Sequence, residues 1–173
     1  VSISCTGDVR RMGMRTRSNR WNAFGLVALV VGSLVAWIGC SDPDRAILER
    51  LSSVERARFE RGRQVATPCW TCHDLAGRVQ KVGPSLLGVY GRLSGTAPGS
   101  HEGSPALRAA SIVWDDRSLA AFLRDPQGFV PGNRMVSPGV GDGAALSDLL
   151  FYLRHVTRPG AREPGGSAPR EAR

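Results

Sequence analysis

Residues 68–77 read PCWTCHDLAG, with Cys69 and Cys72 three positions apart and His73 directly after the second. No other stretch restricts the fold as tightly. On a helix that spacing puts two thiols one turn apart, on nearly the same side. The next residue then turns an imidazole toward whatever the thiols hold. A run of this kind has to be built around a flat object with two anchoring points on one edge.

C-x-x-C-H is the attachment spacing of covalently bound haem, in which thiols add to the two porphyrin vinyls and the histidine meets the iron. Two other chemistries use paired cysteines. Structural zinc needs four ligands, but the remaining cysteines, Cys5 and Cys40, lie in or before an apolar N-terminal segment, which leaves only His73, His101 and His155 to complete a set. A thioredoxin-like redox pair wants a strand before it and a helix N-terminus at the cysteines. Here Pro68 and a helical pattern stand upstream instead. Haem is the reading that fits, one group held through Cys69 and Cys72.

Residues 15–42, RTRSNRWNAFGLVALVVGSLVAWIGCSD, begin basic, run apolar from Ala23 to Ile38 and end at Gly39 and Cys40. This is the layout of an export segment. The apolar run is slightly shorter than the roughly 20 residues that cross a hydrocarbon core. Cys40 after a small residue resembles a bacterial lipoprotein signal, although Trp37 departs from the usual leucine-like position. A lipidated Cys40 and an uncleaved transmembrane anchor are the two expected attachments, and a cleaved signal that leaves a soluble mature protein is the third reading. All three put the following domain on the periplasmic side of the bacterial cytoplasmic membrane or of another envelope membrane. Covalent haem is assembled outside the cytoplasm, so the two features agree.

The net charge of +8 does not describe a nucleic-acid surface. Half of it comes from Arg10, Arg11, Arg15, Arg17 and Arg20 against Asp8, ahead of the domain. No later stretch interleaves aromatics with a dense basic run, so no nucleic-acid partner is expected.

Four segments follow from the pattern: residues 1–40 as signal or anchor, 41–60 as a helical linker, 61–157 as the domain and 158–173 as a disordered tail. Asp42 and Pro43 have the chemistry of a helix N-cap and first helical position, and residues 44–66 read as one helical stalk. Glycines and prolines from Gly77 to Pro105 describe loops with a brief helical turn at 85–90. Asp115 or Asp116 caps a short helix that places Leu119, Phe122 and Leu123 on one face and stops at Pro126. The last helix, 144–156, has Ala145, Leu149, Tyr152 and Val156 at helical spacing and needs a partner helix for that stripe. The tail from Arg158 onward has almost no apolar side chains to offset the entropy of ordering. No strand-like alternation and no internal repeat occur, so the domain is all-α.

The far side of a haem held by His73 is either open or ligated, and that decides between chemistry and electron carriage. Met135 lies in a Pro-Gly-rich loop, FVPGNRMVSPG, directly after a short helix. Its plainer role is a gap-filling core side chain. His101 and His155 are rivals, each more simply a solvated surface histidine.

Taken in order, CWTCH, KVGPSLLGVYGR, SIVWDD, LAAFLRDPQGFVPGNRM and DLLFYLR resemble the class I cytochrome c family, in its membrane-attached bacterial form, across about residues 60–156. The resemblance implies the cytochrome c fold, with three to five helices and loops wrapped around one haem. It implies Cys69 and Cys72 as thioether links, His73 and Met135 as axial ligands, and the Pro84 carbonyl as acceptor from His73. Arg92 and Trp114 match positions facing the propionates, and Leu86, Phe122 and Leu123 match pocket walls. Four positions depart from the pattern. Gly103 replaces a tyrosine that donates to a propionate, and Ser137 replaces an aromatic beyond the methionine. Gly62 sits one residue nearer the haem site than the family's helix glycine, with Val65 where an aromatic is usual.

Iron bound by nitrogen and sulfur has no vacant position, so the expected function is outer-sphere electron carriage and not enzymatic turnover. The expected partners are a membrane oxidase, a bc-type complex, a reaction centre or a dehydrogenase, met by a monomer through the exposed porphyrin edge, with Arg78, Lys81 and Arg134 as rim charges. The alternatives are an electron-accepting haem subunit of one dehydrogenase or oxidase, and a five-coordinate haem sensor or peroxidase.

Overall fold

The computed structural model describes residues 42–97 and 103–163, within a unit that spans Ser41–Arg173. The apolar run Ala23–Ile38, Cys40, His101 and residues 164–173 lie outside the described residues. Among the described residues the helices are α1 (Arg45–Leu48), α2 (Ser53–Val65), α3 (Cys69–Cys72), α4 (Pro105–Ala110), α5 (Asp116–Arg124), α6 (Pro126–Phe129) and α7 (Gly143–Val156). Three of these, α1, α3 and α6, are single turns of four residues. Extended pairing among the described residues is confined to an isolated bridge between Leu93 and Val113. The all-α expectation holds.

The single stalk expected over residues 44–66 is instead two helices. Asp42 does not cap a helix with Pro43 as its first residue; its carboxylate accepts from the Asp44 N–H at 2.8 Å, and α1 ends after one turn. A second start is written at Ser52, whose hydroxyl accepts from the Glu55 N–H while the Glu55 carboxylate accepts from the Ser52 N–H at 2.8 Å. This reciprocal pair satisfies two donors that the first turn of α2 would otherwise leave open. Nor is 41–60 a linker. Ile47, Leu51 and Phe59 are buried in the same apolar cluster as Leu146, Leu149, Leu153 and Val156 of α7, because returning Ile47 and Leu51 to the core removes apolar surface from water that a stalk would leave exposed.

Helices α2 and α7 form the main contact of the fold, and Gly62 sets how close they come. A Cβ at this position would overlap the Asp148 carbonyl and lie 2.7 Å from the Tyr152 Cβ. The missing side chain lets Phe59 meet Tyr152 edge-on, ring centroids 4.9 Å apart. The glycine one residue nearer the haem site therefore still makes the helix crossing, and Val65 is a partly buried neighbour of the same cluster. Asp142 caps α7 by accepting from the Ala145 N–H at 2.8 Å.

The expected disordered tail does not begin at Arg158. Ala161 is 2% exposed, Arg162 donates to the Asp44 carboxylate at 2.7 Å, and Arg50 donates to the Ala161 carbonyl at 2.5 Å. Polar anchoring to the N-terminal turn orders residues 158–163, a source of order that low hydrophobicity does not reveal.

A second apolar cluster of Val89, Trp114, Leu119, Phe122 and Val130 lies under α5 and α6. Asp115 caps α5 through a capping box with Ser118. Helix α4, at the end of the expected loop region Gly77 to Pro105, starts from Ser104, whose hydroxyl accepts from the Leu107 N–H, with Pro105 at its first position. Ser94, fully buried, donates to the Leu107 carbonyl at 2.6 Å and accepts from the Ile112 N–H at 2.9 Å. It ties α4 to the segment that follows.

Both tyrosines of the described region resist ionisation. Burial pushes Tyr152 up to about 12, with the Asp44 charge adding to it. Burial also pushes Tyr90 up to about 12, against the opposing pull of Arg154. A pKa higher in the folded than in the unfolded chain stabilises the fold fully below the unfolded value, near 10, and that stability is lost as pH climbs toward about 12. Thermal melts followed by circular dichroism should show Tm lower by about 5 °C or more at pH 11 than at pH 9. An unchanged Tm would contradict the burial argument.

Candidate haem site

The Cys-Cys-His run is presented by a turn that stops abruptly. Helix α2 ends at Val65, Pro68 caps the single turn α3, and the His73 N–H donates to the Cys69 carbonyl at 2.9 Å. His73 itself is extended, φ −121° and ψ 145°, which swings its ring away from the α3 axis. Cys69 and Cys72 are half-buried thiols that form no disulfide with one another. Burial pushes the Cys69 thiol above its usual range.

His73 Nδ1–H donates to the Pro84 carbonyl at 2.7 Å. That bond assigns the proton to Nδ1 and makes Nε2 the lone-pair nitrogen, the tautomer a metal ligand requires. The loop carrying Pro84 lies directly on the imidazole because Gly83 has no side chain: a Cβ there would fall 2.7 Å from Nδ1. Its N–H also donates to the Cys72 carbonyl at 2.8 Å. Asp74 organises the intervening turn. Burial raises its pKa, yet the Val79, Gly77 and Ala76 N–H groups that it accepts from hold it below the usual carboxylate range.

Arg92 and Trp114 are distant in sequence and adjacent in space. The Trp114 N–H donates to the Arg92 carbonyl at 3.0 Å, and the Gly91 N–H donates to the Trp114 carbonyl at 2.8 Å. Trp114 is 7% exposed and its ring lies 5.1 Å from that of Phe122. Leu86 and Leu123, both half-buried, pack against both apolar clusters. The Arg92 guanidinium donates to the Ser85 and Leu87 carbonyls, at 3.1 and 3.3 Å, and burial alone pulls its pKa down.

Met135 is half-buried against the second cluster, in a loop that two amide side chains hold. Asn133, 6% exposed, donates to the Pro126 and Val130 carbonyls at 2.7 and 2.8 Å and accepts from the Met135 N–H at 2.8 Å. Gln127 donates to the Asn133 and Met135 carbonyls at 3.0 and 3.2 Å. Neither amide stood out in the sequence; a polar residue directly after a Pro-Gly turn, with Gly132 at φ +80°, was the only available signal. Asn133→Ala leaves the Met135 N–H without this acceptor, at about 1–3 kcal/mol, and takes one of two donors from each of the Pro126 and Val130 carbonyls, which keep the Val130 and Asn133 N–H groups. The ferric variant should bind added imidazole more readily than the parent, read by a visible-absorbance titration; equal affinities would deny the loop this role.

His155 differs from the expectation of a solvated surface histidine. It is 8% exposed, donates through Nδ1–H to the Phe151 carbonyl at 2.8 Å, and burial holds its pKa below the usual range. The α7 stripe is wide enough to take it in, against Phe59 and Phe151. Gly103, the departure at the tyrosine position, sits against Gly95, where a Cβ would approach the Gly95 carbonyl to 2.8 Å. The small residue lets these two loop segments close.

These residues fit a haem. The thiols are reduced and one turn apart, the imidazole tautomer suits iron, and Arg92 is a half-buried cation whose hydrogen-bond partners among the described residues are neutral carbonyls, an environment a propionate would compensate. Among the described residues no group of three or more His, Cys, Asp and Glu could hold a metal ion, which leaves the zinc reading without ligands there.

Such a fold and site define a covalent haem protein of the Cys-x-x-Cys-His kind, its His73 imidazole oriented by the Pro84 carbonyl. No family model matches the chain. It is 36% identical to cytochrome c2 of Blastochloris viridis over 59% of this chain and 80% of that protein, and 40% identical to cytochrome c of Euglena viridis over 55% and 93%. Among solved structures, cytochrome cH from Methylobacterium extorquens matches with a TM-score of 0.52 and 35% identity, covering 55% of this chain and 95% of that one. The chain belongs to the cytochrome c family. It is a c-type cytochrome electron carrier with one haem c bound through Cys69 and Cys72.

Proposed function

We propose that the chain is a membrane-attached periplasmic carrier that takes one electron from one redox partner and gives it to another, with His73 and Met135 as the axial ligands. When bound, the haem supplies a reversible one-electron iron couple. The observation that carries this reading is the pair of fixed loops: Pro84 orients His73, and Asn133 with Gln127 holds Met135. Pre-set ligands that move little between oxidation states keep reorganisation small, which suits electron carriage. Phe122, Leu123 and Leu86 exclude water and so disfavour the extra ferric charge, while the Met135 thioether favours ferrous iron. Arg92 and Trp114 would compensate the propionates with a cation and an indole N–H. A positive reduction potential follows.

No helix among the described residues is long and apolar enough to cross a membrane. Attachment therefore rests on residues 15–40, through a lipidated Cys40 or the apolar run itself, and the domain would remain close to membrane-bound donors and acceptors. An oxidase, a bc-type complex, a reaction centre or a dehydrogenase would fit that placement. Mass spectrometry of the protein isolated from membranes tests the anchor: a diacylated Cys40 as first residue supports the lipid form, and an intact 15–38 segment supports the helix. A mature chain released into the soluble fraction with neither would overturn membrane attachment.

A further inference from the structure

One described cavity lies away from the haem site. It is an open groove of about 840 Å³ between α7, α5 and the turn joining α1 to α2, and Cys69, Cys72, His73 and Met135 take no part in its lining. Its rim carries Arg50, Arg58, Arg124, Arg154 and Arg158 against two carboxylates, Glu55 and Asp116. Its floor is apolar, with Leu51, Leu146, Leu150 and Phe151.

The charges are unevenly committed. Arg58 pairs with Asp148 at 3.3 Å and lies over the Phe151 ring at 4.6 Å, and Arg154 pairs with Asp116. Arg50 is bonded only to backbone carbonyls, those of Ala161 and Glu163. Arg124 and Arg158 have no carboxylate partner among the described residues. Burial pulls the Arg158 pKa below its usual range, and the charge of Arg50 nearby adds to the effect. Arg50, Arg124 and Arg158 thus line one concave groove with no carboxylate partner among the described residues, and guanidinium groups so placed suit an oxyanion with several acceptor oxygens, which several forks can share. The volume lies within the roughly 300–1,000 Å³ of small-molecule sites.

We propose that this groove binds a phosphate-bearing anion, its oxygens held by Arg50, Arg124 and Arg158 and any apolar portion lying on Leu146 and Leu150. The phosphate could be that of a soluble ester or of a lipid headgroup, and the test separates the two.

Haem-loaded full-length protein in neutral detergent is titrated by calorimetry with inorganic pyrophosphate and, separately, with dihexanoyl phosphatidic acid. Saturable single-site binding of either probe is expected, weakened at least about tenfold in the Arg124→Gln/Arg158→Gln double variant. The Arg45→Gln/Arg117→Gln variant, with the same change of charge outside the groove, should bind as the parent does. Unchanged Tm and haem absorbance in both variants establish that they are folded. Pyrophosphate binding assigns a soluble phosphate, and binding of the lipid probe alone assigns a headgroup. Absence of saturable binding by both probes, or equal loss in the two double variants, overturns the proposal.

Discussion

Met135→Ala should abolish the weak long-wavelength charge-transfer band of the ferric protein and open the iron to added ligands such as imidazole or cyanide. The argument begins with position. Met135 is half-buried against the cluster of Val89, Trp114, Leu119, Phe122 and Val130, and its backbone N–H and carbonyl are both tied to amide side chains. On the function proposed above, a thioether so restrained would be held for the iron of a haem that the His73 imidazole would also ligate. Removing the sulfur removes the soft ligand that favours ferrous iron, so the reduction potential should fall by on the order of 0.1 V or more, against the roughly 0.8 V that axial ligation spans across haem proteins. The fold should survive, since the core clusters do not depend on this side chain. A variant that keeps both the band and the parent's inertness to added ligands would place the sixth ligand elsewhere. Visible absorbance and potentiometric titration read the two effects separately.

Gly62→Ala should cost about 3 kcal/mol, the upper part of the usual range for overpacking. The added methyl would meet a backbone carbonyl, that of Asp148, and the Tyr152 Cβ. Neither is the flexible end of a side chain, so α2 and α7 must separate. Phe59 and Tyr152, both 0% exposed, then lose their edge-on contact. The same substitution at Gly143, where a Cβ would meet nothing within 4 Å, should leave stability within about 1 kcal/mol of the parent. Urea unfolding of the pair isolates the crossing: equal midpoints would mean that α2 and α7 tolerate separation.

The site residues divide according to how far apart their partners lie in the chain. Cys69, Cys72 and His73 were readable together because one helical turn fixes their relation, and α5 was readable because Asp115, Leu119, Phe122 and Pro126 all report on local geometry. The resemblance to known sequences supplied Pro84, Arg92 and Trp114 from a distance, and the fold brings Pro84 to His73 and Trp114 to Arg92. Asn133 and Gln127 were missed. Their value lies in backbone groups across a loop, and an amide in a Pro-Gly-rich stretch carries no sign of which carbonyls it will reach.

Misreadings of the N- and C-terminal segments share one cause. Residues 44–66 contain no strong helix breaker, so periodicity alone could not see that the Ser52–Glu55 capping box would restart the chain and fold Ile47 and Leu51 back onto α7. Arg158 to Glu163 looked unable to order because hydrophobicity counts only apolar gain, whereas Arg162 and Arg50 hold this stretch through Asp44 and backbone carbonyls.

By itself, then, the sequence determined the helical class, the thiol pair with its imidazole, the family and hence the cofactor, because these depend on spacing within a turn or on motifs kept in order. The tertiary structure decided the tautomer-setting contact at Pro84, the amide clamp on Met135, the burial of His155 and the gathering of five arginines around one groove. The first two depend on how short loops close and the last two on segments tens of residues apart, and in neither case does local spacing say which groups will meet.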